Sequence, residues 1–263
     1  MEQPSVVEHE PAVELDGVAV HYGGRLVASD VCLKIAHAKI TALIGPSGSG
    51  KSSLLQAINR LTDLIPGCHV SGRIRVSGRD VSREDMDVQQ LRRRVGMIFQ
   101  KPTPFPVSIR RNLELPLREI GISNRQQLGR VVEETLQSVG LWDEVQTRLD
   151  EPATKLSGGQ QQRLCLARTL TLNPEVLLLD EPCSALDPQS TQVIENLLLE
   201  MRGRCTIVIV THNLAQARRL ADRVALLWPI DAVGRLIECG DTRQMFEAPQ
   251  RSETADYVSG RAG

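Results

Sequence analysis

Aromatic residues are scarce: two Trp, two Tyr and three Phe in 263 positions. So few rings leave little material for the stacking platforms that hold single-stranded nucleic acids. Surplus positive charge is lacking too. Lys plus Arg number 31 against 32 for Asp plus Glu, a formal net charge of -1, whereas a general nucleic-acid binder is basic. No nucleic-acid partner is expected. Apolar runs such as 224–230 fall far short of the roughly 18 to 20 residues that a membrane helix needs. The amino terminus, MEQPSVVEHEPAVE, is acidic and without the apolar core of a secretory signal, so the chain is expected to stay inside the cell. Its six cysteines (Cys32, Cys68, Cys165, Cys183, Cys205 and Cys239) form no C-x-x-C pair, which favours reduced, packed thiols over a zinc site or a disulfide frame. Internal repeats and low-complexity segments are absent as well.

What is present is enough chain for a large core, 41% hydrophobic and 24% charged, too apolar to be disordered. Residues 1–12 read as a polar tail. Short β segments at 18–22 and 27–35 flank a Gly23-Gly24 turn, and the apolar run 39–44 stops at Gly45 as a buried strand does. Leu54, Leu55, Ile58 and Leu61 then recur at helical spacing, and 67–78 reads as a further hairpin region. Leu128, Val131, Val132, Leu136 and Val139 predict an amphipathic helix over 124–139, with a second over 160–170. Apolar runs at 176–179, 206–210 and 224–227 alternate with helical patterns around 193–201 and 214–220. Strand–helix alternation of this kind predicts a parallel sheet covered by helices. The expected layout is an α/β core, a mostly parallel sheet with helices on both faces. It carries an amino-terminal antiparallel β subdomain and an inserted α-helical subdomain at about 103–165. The whole would span 13–250, with a tail at 251–263.

Gly45-Pro46-Ser47-Gly48-Ser49-Gly50-Lys51-Ser52 fits the P-loop pattern G-x-x-x-x-G-K-[ST] at every fixed position, between a predicted strand and a predicted helix. The glycines permit a tight curl that turns successive amides toward one centre, and the helix start adds a positive dipole end. Lys51 then reaches the outer phosphates of a nucleoside triphosphate, and the Ser52 hydroxyl ligates Mg²⁺. A Gly/Ser-rich turn with a solvated lysine is the plainer alternative. Further on, the run 176–179 ends in Asp180-Glu181. A buried parallel strand delivers its last residues to the carboxyl edge of the sheet, where ligands bind. Asp180 is placed to hold hydrated Mg²⁺, and Glu181 to polarise a water for in-line attack on the γ-phosphate.

Between these two elements stands Leu156-Ser157-Gly158-Gly159-Gln160-Gln161-Gln162-Arg163, which resembles the signature motif of ATP-binding cassette (ABC) ATPases. Other pieces agree in order. Tyr22 resembles the aromatic that stacks on adenine, and Gln100 resembles the Q-loop glutamine, a further Mg²⁺ contact. Ser184-Ala185-Leu186-Asp187 resembles the D-loop, and His212, after the run 206–210, resembles the switch histidine. The resemblance covers about residues 13–250 and implies ATP as ligand, held by Tyr22, the loop from Gly45 to Ser53, Gln100, Ser157, Gly158, Gly159, Gln160 and Asp187. It implies Glu181, His212 and Lys51 as catalytic, and Ser52, Gln100 and Asp180 at Mg²⁺. The Ser157 hydroxyl with the Gly158 and Gly159 amides makes a second anion cradle. Since Lys51 already serves one nucleotide, that cradle is best explained by a partner's γ-phosphate, as in the head-to-tail homodimers of the family.

Four stretches are similar to the ATP-binding subunits of bacterial phosphate importers: 59–67, 99–106, 181–188 and 256–261. That implies two membrane-spanning permease partners, a peripheral location on the cytoplasmic face of the inner membrane, and, indirectly, an extracytoplasmic phosphate-binding protein. Three places depart from the pattern. Ser53 replaces the usual threonine, 113–122 differs from its counterparts, and Ala262-Gly263 replaces an aromatic-Gly ending. The stretch 113–122 leaves open an importer of a related oxyanion such as molybdate. A soluble ABC ATPase acting on DNA or ribosomes is a further alternative, disfavoured because the interval from Lys51 to Leu156 holds no sustained heptads and no zinc spacing. The others are an export cassette, normally fused to membrane helices, and a phosphoryl-transfer kinase, which has no use for a second phosphate cradle.

Overall fold

The computed structural model describes residues 10–184 and 186–262. Strand β1 (Val13–Tyr22) turns through Gly23-Gly24 into β2 (Arg25–Ile35), the two paired antiparallel. Strand β3 (Ile40–Ile44) is buried at every residue and leads into α1 (Lys51–Ile58). After a 3-10 turn at Leu61–Leu64 come β4 (Cys68–Val76), β5 (Arg79–Asp80), α2 (Val88–Arg94) and β6 (Val95–Ile98). A helical stretch follows: α3 (Ile109–Glu119), α4 (Arg125–Ser138), the single turn α5 (Trp142–Val145) and α6 (Gly158–Leu170). Alternation then resumes with β7 (Val176–Asp180), α7 (Pro188–Met201), β8 (Thr206–Val210) and α8 (Leu214–Leu220). The described chain closes with β9 (Arg223–Ile230), β10 (Val233–Asp241), α9 (Thr242–Glu247) and α10 (Ser252–Val258).

Local chemistry fixes where the helices begin. Asp87, Ser108, Asn124, Ser157, Asp187 and Asn213 each accept a hydrogen bond from the amide three residues on. Each cap satisfies a donor the helix cannot pair internally and is worth about 1 kcal/mol.

All ten strands of the described residues join one sheet, in the order β5-β4-β1-β2-β10-β9-β3-β8-β7-β6. From β9 to β6 the neighbours run parallel, as the alternating pattern predicts. The antiparallel strands extend this same sheet, and β2 meets β10 through a parallel pair, Ala28 with Gly234. Side chains alternate across the sheet. Ile40, Ala42, Ile44, Leu177, Leu179, Ile207 and Ile209 face a core shared with α3, α4 and α6 to α8. Leu43, Val176, Leu178, Val208 and Val210 face the opposite one, with α1 and the inner sides of β1, β2 and β4. Helix α1 is thus enclosed by both halves of the sheet. Burying Leu54, Leu55 and Ile58 there, each 0% exposed, contributes about 1.5–3 kcal/mol apiece.

Helix α6 ends at Leu170, where the helical pattern over 160–170 places it. Three expectations change. The region 67–78 is one long strand, and the hairpin forms instead between β4 and β5 across Ser77-Gly78. Strand β10 had no counterpart, because its mixed sequence VGRLIECGD lacks a clean alternation. Last, the segment 251–263 contains α10, whose Tyr257 is 6% exposed and buried in the main core. Of the expected tail 1–12, residues 1–9 lie outside the described ones. Ala12 is stitched in by backbone bonds to Ile35 and Ser77.

Candidate nucleotide site

Between β3 and α1 the chain curls because Gly45, Gly48 and Gly50 hold φ angles of 140°, 79° and 84°, where residues with a side chain are strained. Gly45 has a second constraint: a Cβ would collide with the Leu227 carbonyl of β9. Lys51 opens α1 and is 7% exposed. Its Nζ donates to the carbonyls of Gly45 (2.8 Å) and Pro46 (2.7 Å) and to Ser49 Oγ (3.2 Å). Burial pushes its pKa down, against the pull of the Glu181 and Asp180 carboxylates. The first turn of α1 holds no acidic residue, so its positive end is not neutralised. A buried ammonium inside a curl of amides fits phosphate groups. The cleft here, about 210 Å³, brings Ser47, Gly48 and the stretch from Gly50 to Ser53 together with Glu181 and His212. Tyr22 is not a wall of this cleft; its hydroxyl donates to Ser53 Oγ at 3.2 Å.

Opposite the loop, buried β7 ends at Asp180, 7% exposed, whose Oδ1 accepts from Ser52 Oγ at 2.9 Å. Burial raises its pKa, opposed by that bond. A serine hydroxyl beside a carboxylate is a hard-oxygen pair suited to Mg²⁺ that keeps waters and nucleotide oxygens as its other ligands. Gln100 is not joined to this pair. Its Nε2 donates to Glu181 Oε2 at 2.9 Å, and His212 Nδ1 lies 3.0 Å from the other oxygen, Oε1. Glu181 is therefore bracketed on both oxygens. It has a φ of 46°, a strained value for this residue, pinned by its amide bond to the Val210 carbonyl at 2.9 Å.

Ser157 caps α6 in a reciprocal box. Its Oγ accepts from the Gln160 amide at 3.3 Å, and Gln160 Oε1 accepts from the Ser157 amide at 3.0 Å. Gln160 Nε2 donates to Glu144, which also pairs with Arg163 at 2.8 Å. Burial pushes the Glu144 carboxyl up, but those two partners outweigh it and hold it below the usual range. A Cβ on Gly158 would meet nothing, and one on Gly159 only Leu186, at 3.3 Å. Ser157, Gly159, Gln160 and Asp187 line a different cleft, about 530 Å³, which shares no residue with the one around Lys51. Ala185 lies outside the described residues. Asp187 caps α7, and the Ser190 hydroxyl and amide hold its pKa low.

Two residues bear on the loop without having been singled out from the sequence. Leu227 blocks any side chain at Gly45, and a Cβ on Gly234 of β10 would collide with the Ser49 carbonyl. Buried Tyr257 packs its ring edge-on to Trp228 at 6.0 Å. A glycine within a β-like run was the one signal available, for Gly234.

A glycine-curled phosphate loop on a parallel sheet, a strand-end carboxylate pair and a separate serine-capped cradle define an ABC-type nucleotide-binding domain. The chain belongs to the ABC transporter family, which matches residues 28–184. Within that family it groups with phosphate import ATP-binding proteins. It is 56% identical to "Phosphate import ATP-binding protein PstB 1" of Nitrosococcus oceani over 94% of this chain and 89% of that one. With PstB of Thermotoga maritima the identity is 49%, over 97% and 100% of the two chains. Among solved structures it is similar to a bacterial Atm1-family ABC exporter with ATP bound (TM-score 0.80, 25% identity, all of this chain and 44% of the exporter). It is also similar to cbiO1 of Clostridium perfringens, part of the ABC transporter complex cbiONQ (TM-score 0.74, 25% identity, 96% and 97% of the two chains).

Proposed function

We propose that this chain is the ATP-hydrolysing subunit of a phosphate ABC importer, and that it works as a head-to-tail homodimer beneath two permease subunits. The observation that carries the reading is the likeness to curated phosphate import ATP-binding proteins over nearly the full chain, at 47–56% identity. No helix of the described residues is long and apolar enough to cross a membrane; in this reading the permeases are separate chains. The subunit lies on the cytoplasmic face of the inner membrane, and an extracytoplasmic binding protein delivers the cargo. Its own phosphate contacts belong to ATP.

Each residue then has a task. The loop amides and Lys51 receive the β- and γ-phosphates, exchanging the loop carbonyls around Nζ for phosphate oxygens. Ser52 and Asp180 would hold Mg²⁺, with Gln100 as a further ligand. When bound, Mg²⁺ neutralises phosphate charge. Glu181 accepts the proton of the attacking water. His212, standing beside Glu181, presents an N–H to the γ-phosphate and stabilises transition-state charge. Tyr22, steadied by Ser53, stacks on adenine. Ser157, Gly158, Gly159 and Asp187 meet the nucleotide of the second copy.

Motion reaches the permeases through an apolar groove of about 230 Å³ lined by Met97, Phe99, Phe105, Pro116 and Leu172. Gln162 of α6 donates to the Phe99 carbonyl at 3.1 Å, tying the groove to the helix that Ser157 caps. Pro116 of the groove, with exposed Leu115 and Ile120, belongs to the departing stretch 113–122, which favours a related oxyanion importer as second reading. Co-purification from membranes, followed by ATPase assays with phosphate or molybdate and the corresponding binding protein, tests both. Stimulation by phosphate alone is the expected result.

A further inference from the structure

Helices α7 and α8 contribute no wall to the Lys51 cleft, yet a buried carboxylate ties them together. Glu195 of α7 is 3% exposed. Its Oε1 accepts from Gln216 Nε2 of α8 at 3.2 Å and from Arg219 Nη2 at 2.8 Å, and its Oε2 accepts from Arg219 Nε at 3.1 Å. Gln216 is itself 3% exposed. A buried ion pair is weak evidence for stability, since apolar side chains of similar volume often do as well. Its location is more telling.

Helix α7 starts at its capping residue Asp187, and α8 starts right after His212-Asn213. The Gln216 amide donates to Asn213 Oδ1 at 3.0 Å, and the Asn213 amide to Thr211 Oγ1 at 3.0 Å. The Glu195 bonds therefore anchor the turn that presents His212. That histidine has its side chain 65% exposed, and Glu181 is its one polar side-chain contact among the described residues. Its aim thus depends on the backbone beneath it. A cavity of about 420 Å³ connects the parts, with Glu181, Ser184, Glu195, His212, Gln216 and Arg219 in its walls.

We propose that Glu195, with Gln216 and Arg219, is a positioning residue for ATP hydrolysis: it locks the first turn of α8, and so His212 beside Glu181, to α7 and its capping Asp187. The two-pronged Arg219 grip stops α8 from sliding or turning against α7. Any shift of Asp187 when a second copy docks is then passed to His212. This inference rests on the reading of His212 and Glu181 as hydrolysis groups.

The test measures kcat and KM for ATP, with nucleotide affinity and melting temperature, on the purified full chain carrying E195Q, R219Q, H212A or E195Q with H212A. Misaiming His212 is expected to lower kcat in E195Q and R219Q by about 10- to 100-fold. KM and ATP affinity stay within about twofold, and E195Q with H212A is no slower than H212A alone, as for groups acting as one unit. A normal kcat in E195Q beside a slow H212A overturns the inference. So do losses that multiply in the double variant, or a KM rise at constant kcat. A wild-type rate in H212A overturns the underlying reading instead. Arg219 is half-exposed, with its side chain at 54%, so R219Q decides by the same criteria if E195Q does not fold.

Discussion

Two anion cradles of the same chain are built in opposite ways. Around Lys51 the backbone is tightly curled and enclosed: glycines at positive φ, a carbonyl of β9 against Gly45, and a buried cation saturated by its own loop. Around Ser157 the helix start is relaxed and open, its capping box satisfied locally and the space beside Gly158 empty. Enclosure and a tight curl suit a pocket complete within one polypeptide. An uncovered start of a helix suits something brought from outside, which in the proposed dimer is the triphosphate of a second copy of the chain.

Mutations separate the two. The largest expected effect is that of Glu181→Gln, which lowers hydrolysis by about 10²- to 10⁴-fold by removing the general base. Its ATP binding is retained, and sizing columns with ATP and Mg²⁺ show a trapped dimer. Ser157→Arg fills the open cradle; single chains bind ATP as before, while ATP-driven dimerisation disappears and hydrolysis falls about 100-fold with the lost transition-state contacts. Weaker ATP binding by isolated Ser157→Arg chains would mean that the two cradles serve one nucleotide.

Asp180→Asn tests the enclosed site through its buried charge. The folded state raises the pKa of Asp180, so it holds the proton more readily than the unfolded chain does. Nucleotide-free stability from this group therefore falls as pH rises through the interval above the ordinary carboxylate value, and the penalty persists at neutral pH. Asn removes it. Thermal melts at pH 7 should show a gain in melting temperature, flatter with pH than wild type, while Mg²⁺-dependent hydrolysis is lost. Smallest is Tyr22→Ala, which weakens ATP affinity by about 1 kcal/mol with the lost stacking, measurable by titration. Tyr22→Phe loses only the bond to Ser53.

Much of this contrast was legible in the sequence because it rests on local rules. The P-loop pattern, the strand ending in Asp180-Glu181 and the serine cap of α6 each depend on neighbours within a few residues. What escaped depends on residues far apart. Strand β10 alternates poorly because Glu238 faces inward, where it takes the amides of Gln250 and Arg251 and a bond from Gln244. That buried acceptor holds the chain at 250–251, where it folds back toward α10, and no local signal in the segment announces it. The bond from Gln100, an expected Mg²⁺ contact, to Glu181 is likewise nothing that spacing decides.

The long-range contacts at Gly45 and Ser49 also set an order of events during synthesis. The phosphate loop leaves the ribosome well before Leu227 and Gly234, whose backbone closes against it. A nascent chain halted between them carries the whole motif without the strands that wall it in.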